Sequence, residues 1–195
     1  MASRDTDNLI PEARNHFVGA IRGMGEITGA IADAVSNTVV HMLKGTRAVG
    51  AELLGLVLGT VTGTVQGVAE VGGEVGSAAR SIMIGTLHGT QTVGKAGVET
   101  VTLTAAALVK GASEVGGDIA DTAKGAVEGA IASAREIGLS AEDAASAAAS
   151  GAIQAAGDIS TTAVNQVRNV LTRGISGVKV VLKEPFRAER EAERE

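Results

Sequence analysis

Three histidines, His16, His41 and His88, are the only imidazoles in the chain, and they lie 25 and 47 residues apart. Along a helix those separations are about 38 and 70 Å, so no helical pair can chelate a metal. Cysteine is absent, which removes thiolate sites, a thiol nucleophile and any disulfide. Carboxylates recur at Glu26, Glu70, Glu114 and Asp158. They are spread along the chain rather than gathered, so acid–base work by a carboxylate pair is not expected. Serine and threonine are abundant, but no base stands in register with any of them. GMGEITG (23–29) and GGEVGSAARS (72–81) are glycine-rich. Neither matches GxGxxG or GxxxxGK[ST], and neither follows a strand, so they are not phosphate loops. The sequence therefore predicts no catalytic residue, no metal ligand, no cofactor and no enzyme.

Composition removes further classes. Net charge is −5 and aromatic residues make up 1% of the 195. A phosphate-tracking basic surface and a base-stacking platform are both excluded, and no nucleic-acid partner is expected. The apolar residues are mostly Val and Ala, so they build a thin seam. The start, MASRDTDNLIPEAR, has no apolar stretch behind a basic segment, and no secretory signal is expected. The longest charge-free run, 53–69, carries three Thr, one Gln and four Gly. It falls short of the ~20 apolar residues of a spanning helix.

What would position any of these residues is a repeat. At an offset of 44 the chain reads RGMGEITGAI from Arg22, QGVAEVGGEV from Gln66, KGASEVGGDI from Lys110 and QAAGDISTTA from Gln154. At 22 it reads FVGAI from Phe17, then VVHML, VTGTV, MIGTL, AAALV, VEGAI, ASGAI and LTRGI, without a gap. Twenty-two is twice eleven, and eleven residues in three turns is about 3.67 per turn, close to the α-helix. Written in rows of eleven, five adjacent columns are dominated by Val, Ile, Leu, Ala and Gly. This arc is wider than a coiled-coil seam. Charge is sorted beside it. Arg14, Arg47, Arg80, Lys124, Arg135, Arg168 and Lys179 share one column, and Glu26, Glu70, Glu74, Glu114, Asp118 and Asp158 lie toward the other side.

No proline interrupts residues 12–184, and no Asn-Gly or Asp-Gly hairpin signal occurs. The expected fold is all-α: a very long amphipathic helix, or a helical hairpin, with 11-, 22- and 44-residue repeats. One unbroken helix over 17–182 would be about 250 Å long. Asp7 or Asn8 would cap it, Pro11 would open it and Pro185 would end it. Gly72-Gly73 and Gly116-Gly117 are the expected turns if it folds back. Gly55, Gly59, Gly63 and Gly67 form a small-xxx-small ridge for close helix packing.

Four segments follow: a capping segment 1–10, Gly/Val/Thr-rich repeats 11–110, Ala-rich repeats 111–184 and a charged tail 185–195. Charges are sparse between 48 and 110 and dense beyond. The first repeats, with Leu53, Leu54, Val57, Val61, Val65, Val68, Ile82, Met83 and Leu87, are expected to face lipid or a lumen. The second repeats are expected to form the oligomerising or docking end, with Phe186 as an anchor.

VKGASEVGGDIADTAKGAVEGAI (109–131) and TVTGTVQGVAEVGGEV (60–75) resemble the eleven-residue repeats of synucleins and perilipins. More distantly, they resemble those of group-3 late-embryogenesis proteins. The resemblance implies a long helix that lays its apolar face on lipid. It departs from synuclein-type repeats, which flank that face with Lys on both sides. The architecture is also similar to helical stalk subunits that tether enzyme assemblies to membranes. The expected function is a non-enzymatic scaffold or membrane tether, cytoplasmic and peripheral to a membrane or lipid surface. It would assemble as a homo-oligomer of four or more helices, as a bundle or tube whose lumen could hold lipid or a quinone-like molecule, and could anchor a larger complex. The alternative is a monomeric perilipin- or phasin-like coat on a lipid droplet or storage granule.

Overall fold

The computed structural model of the chain describes residues 27–45, 51–94 and 96–173, together with 175, 177, 178 and 180. Seven α-helices are present among them: α1 (Ile27–Gly45), α2 (Ala51–Glu70), α3 (Val75–Thr92), α4 (Val98–Glu114), α5 (Ile119–Ser133), α6 (Ala141–Ile159) and α7 (Thr161–Leu171). The only β pairing among the described residues is an isolated bridge, Ile175 to Val178.

The all-helical reading holds, but the single long helix does not. The helices run 11 to 20 residues. Four breaks fall where glycine takes a left-handed backbone, Gly72 (φ 74°), Gly94 (φ 69°), Gly116 (φ 73°) and Gly138 (φ 73°), each 22 residues after the last, whereas α6 and α7 part at Ser160, which is extended (φ −171°). At Gly116 its own amide donates to the Ser113 carbonyl (3.3 Å) and the next amide, Gly117, donates to the Ala112 carbonyl (2.7 Å). This is the Schellman closure, which satisfies the last carbonyls of a helix and requires φ > 0 at one residue. Gly72-Gly73 closes α2 on Ala69 and Val68 in the same way (3.0 and 2.9 Å). Both expected fold-back sites are therefore turns. Gly94 and Gly138, which are not doubled, are turns as well. The 22-residue repeat is one helix plus one turn.

Three of the helices, α5, α6 and α7, start from side-chain caps. The Asp118 carboxylate accepts from the Ala120 and Asp121 amides, both at 2.9 Å. Ser140 accepts from the Asp143 amide and Ser160 from that of Ala163. Each oxygen satisfies an amide that has no partner inside its helix.

Odd-numbered helices pack on odd and even on even, as well as on their chain neighbours: α1, α3, α5 and α7 form one layer, and α2, α4 and α6 the other. The 44-residue repeat is one helix from each layer, stacked on the next pair as in helical-repeat proteins. Between the layers lies a core with Val35, Val61, Val65, Ile82, Met83, Leu87 and Leu108 at 0% exposure. Around α6 it narrows to Ala and Gly. Buried threonines are tolerated because their hydroxyls turn back on their own helix. Thr64 donates to the Thr60 carbonyl (2.7 Å), Thr86 to Ile82 (2.8 Å) and Thr104 to Thr100 (2.7 Å).

Within each layer, helices touch at glycine. A Cβ on Gly85 would collide with the Ala32 carbonyl oxygen, and one on Gly89 would stand 2.8 Å from the Val39 Cβ. On α5, a Cβ on Gly125 would stand 2.8 Å from the Gly76 carbonyl oxygen and one on Gly129 2.6 Å from that of Arg80. Gly151 meets the carbonyl of Thr102. Backbone lies against backbone because no side chain separates the helices.

Candidate interaction surface

The sequence-derived site residues fall into three groups. Val57, Val61, Val65, Val68, Ile82, Met83 and Leu87 all lie in the intramolecular core, none more than 2% exposed. The apolar arc expected to face lipid or a lumen is covered by the chain itself, because each fold-back brings another arc against it. Leu53 and Leu54 belong to α2. Of the ridge glycines, Gly63 and Gly67 are buried, Gly55 and Gly59 are half-buried, and open space surrounds Gly55. Phe186 and the capping residues Asp7, Asn8, Pro11 and Pro185 lie outside the described residues. The division drawn at residue 110 falls inside α4.

The four-residue spacing of small residues acts elsewhere as well. Gly85-xxx-Gly89 and Gly125-xxx-Gly129 carry the same signature as the α2 ridge and make the close contacts described above. Gly125 and Gly129 stand among charges, next to Lys124 and Glu128, whereas Gly85 and Gly89 lie in a stretch without Asp, Glu, Lys or Arg, like the α2 ridge.

His41 is exposed on α1. His88 Nδ1 lies 3.3 Å from Glu136 Oε2, both side chains more than half exposed, an arrangement that contributes little to stability. Among the described residues no three of His, Asp and Glu gather to hold a metal ion, and no helix is long and apolar enough to cross a membrane.

The two layers differ in the face they turn outward. Exposed residues of the odd layer are charged or polar along its middle: Asp33 and His41 on α1, Arg80 and His88 on α3, Lys124 on α5, Arg168 on α7. The even layer is uncharged there. Its half-buried residues are Leu58, Thr62 and Gln66 on α2, Leu103 and Ala106 on α4, and Ser146, Ser150 and Ile153 on α6. A groove of about 150 Å³ runs between α4 and α6, lined by Leu103, Ala106, Ala107 and Ala155 with Lys110 and Asp158 at one end and Leu58 beside it.

A second hollow, about 330 Å³, lies between the α2–α3 and α4–α5 turns, against Gly72, Glu74, Gly116, Asp118 and Asp121. The Asp118 carboxylate is engaged as a cap there, and Glu74 accepts from the Ser77 hydroxyl at 3.1 Å. No family model matches the chain, and no curated protein matches it in sequence. Among the described residues these surfaces offer hydrophobic contact and charge.

Proposed function

We propose that this chain is a non-catalytic helical-repeat scaffold that holds a partner protein against the outward face of α2, α4 and α6. One observation carries the reading: the middle of that face is uncharged across three successive helices, whereas the opposite face is charged on every helix. A side fully adapted to water has no need of that asymmetry, and uncharged patches with polar rims are characteristic of contact surfaces. Helical-repeat stacks present such faces as extended platforms. Among the described residues of that face Lys110 is the one base beside the apolar stretch, with Asp158 next to it, a poor match to an anionic membrane, whose surface binding draws on several basic residues beside the apolar face.

Affinity purification from native cells tests this, with the wild-type chain beside Leu58→Glu and Ile153→Glu variants. The same proteins recovered by all three would sink the reading. Proteins lost with the variants, while circular dichroism stays unchanged, would support it.

A second reading, a lipid coat, rests on the core itself. Its side chains are small, and every helix carries an apolar arc that would reach lipid if the stack opened. Vesicles of phosphatidylcholine, with and without anionic lipid, decide between the two. Co-flotation with loss of the cooperative thermal transition favours the coat, and an unbound, unchanged stack favours the scaffold.

A further inference from the structure

The two layers begin differently. In the even layer each helix seats on the one before it through an edge of small residues: Gly111 of α4 packs on Val65 of α2, and Gly151 of α6 on the Thr102 carbonyl of α4. Shifted by the 44-residue repeat, that edge reads Leu103, Ala107 and Gly111 on α4, Ala147, Gly151 and Ala155 on α6, and Gly59, Gly63 and Gly67 on α2. Among the described helices α2 has one neighbour in its own layer, α4, on the other side, yet Gly63 and Gly67 are buried. The odd layer is the contrast. Where α3 sets Gly85, and α5 sets Gly125 and Gly129, against the preceding odd helix, the equivalent positions of α1 are Asn37 and His41, both exposed. Polar side chains close the odd layer there, as at the ends of other helical-repeat stacks. The glycine edge of α2 instead continues an interface that α4 and α6 already make.

We infer that residues 11–22 of this chain form a helix that docks on the Gly59-Gly63-Gly67 edge of α2 and starts the even layer. Residues 1–26 precede α1 and lie outside the described residues, and the alternation of layers assigns a helix preceding α1 to the even side. The 44-residue shift lays Ala13, Phe17 and Ile21 on Val57, Val61 and Val65, core residues no more than 2% exposed. Gly23 and Gly25 stand just ahead of α1 and supply the backbone freedom of a fold-back. Arg14 and Arg22 fall at the outward positions that Leu58 and Gln66 hold on α2. The docked helix therefore bounds the uncharged face with charge, as a terminal repeat does. A second copy of the chain competes poorly for the edge with a segment tethered a few residues away, whose effective concentration is in the millimolar range.

Cysteine pairs test this in the full chain, which has no Cys of its own. Val65→Cys with Gly111→Cys is the positive control, because the Gly111 Cβ position lies 3.4 Å from Val65 Cβ, close to the ~3.8 Å of a disulfide. Shifted by the repeat, the test pair is Ile21→Cys with Gly67→Cys. Phe17→Cys with Gly67→Cys covers a slip of one turn, like that between Gly85 on Ala32 and Gly129 on Arg80. One of the two test pairs should close within a single chain on oxidation, read as faster migration on a non-reducing gel and loss of both free thiols. In the cysteine-free chain Phe17→Asp should lower the urea midpoint, and Arg14→Ala should leave it in place. A closed control with both test pairs still reduced would overturn the inference. So would disulfides between chains, which would put a second copy on the edge. An unchanged midpoint in Phe17→Asp would overturn it as well, even where Gly67→Cys itself disturbs α2.

Discussion

The Thr102 carbonyl oxygen occupies the place that a Cβ on residue 151 would take, so α6 rests directly on the backbone of α4. The contact has no side chain to compress and no rotamer to adjust. An added methyl there must push two helices apart. Gly151→Ala is expected to cost about 1–3 kcal/mol, the usual range for overpacking. Gly55→Ala is the control: it lies within α2 with nothing within 4 Å of its Cβ position. Alanine is the better helix former by roughly 0.5–1 kcal/mol, so that change should stabilise. Urea melts of the two variants should move in opposite directions. If both stabilise, glycine at 151 is a weak helix residue and not a packing site.

Gly116 demands glycine for a different reason. No atom lies within 4 Å of its Cβ position, yet its φ is +73°. Only backbone conformation opposes a side chain there, at about 1–2 kcal/mol. Gly116→Ala should lose that amount and Gly116→Asn less, because Asn tolerates the left-handed region. Equal stability of the three proteins would mean the turn is not left-handed in solution.

These two kinds of glycine explain how much of the architecture could be read in advance. The 22-residue period, the helical class and the turns at Gly72-Gly73 and Gly116-Gly117 are visible in the sequence. The turns at Gly94 and Gly138 are not singled out by doubling, although position 50 continues the series with another Gly. The length of the helix is the main departure. Twenty-two residues fit six turns of a continuous helix, and they fit equally well one helix of 15 to 20 residues with a short turn. The apolar arc has the same register in both, since it is buried either against another chain or against the next fold-back. The positive φ at one residue in twenty-two separates them. The groove face was not legible, because Leu58, Leu103 and Ala155 come to line one groove only once alternate helices share a layer.

Small-angle X-ray scattering distinguishes the two arrangements without mutation. A compact chain of this length has a radius of gyration of about 16 Å. A rod of about 250 Å has one near 70 Å, from its length alone. The folded-back stack should give a value under about 20 Å after extrapolation to zero concentration. A value several times larger would restore the continuous helix.

An insertion tests whether the repeat is punctuated where the glycines stand. Between Leu139 and Ser140 the chain has completed one Schellman closure, with the Leu139 amide on the Ala134 carbonyl (2.9 Å), and has not yet begun the next cap, with the Asp143 amide on Ser140 (3.0 Å). Five Gly/Ser residues added there break neither bond. Lengthening a connection costs little, about 0.6 kcal/mol per doubling. The same five residues after Val109 enter α4, where Val109, Gly111 and Ala112 are buried. At 3.6 residues per turn they would rotate the rest of the helix by roughly 140°. Gly111 would leave its seat against Val65, whose Cγ1 lies 3.2 Å from the Gly111 Cβ position, and the last turn of α4 would face water with its apolar side. The first insertion should shift the urea midpoint slightly, and the second should abolish the cooperative transition. In a continuous eleven-residue helix both insertions break the same register, so equal damage at the two sites would argue that residues 134–140 are not a turn.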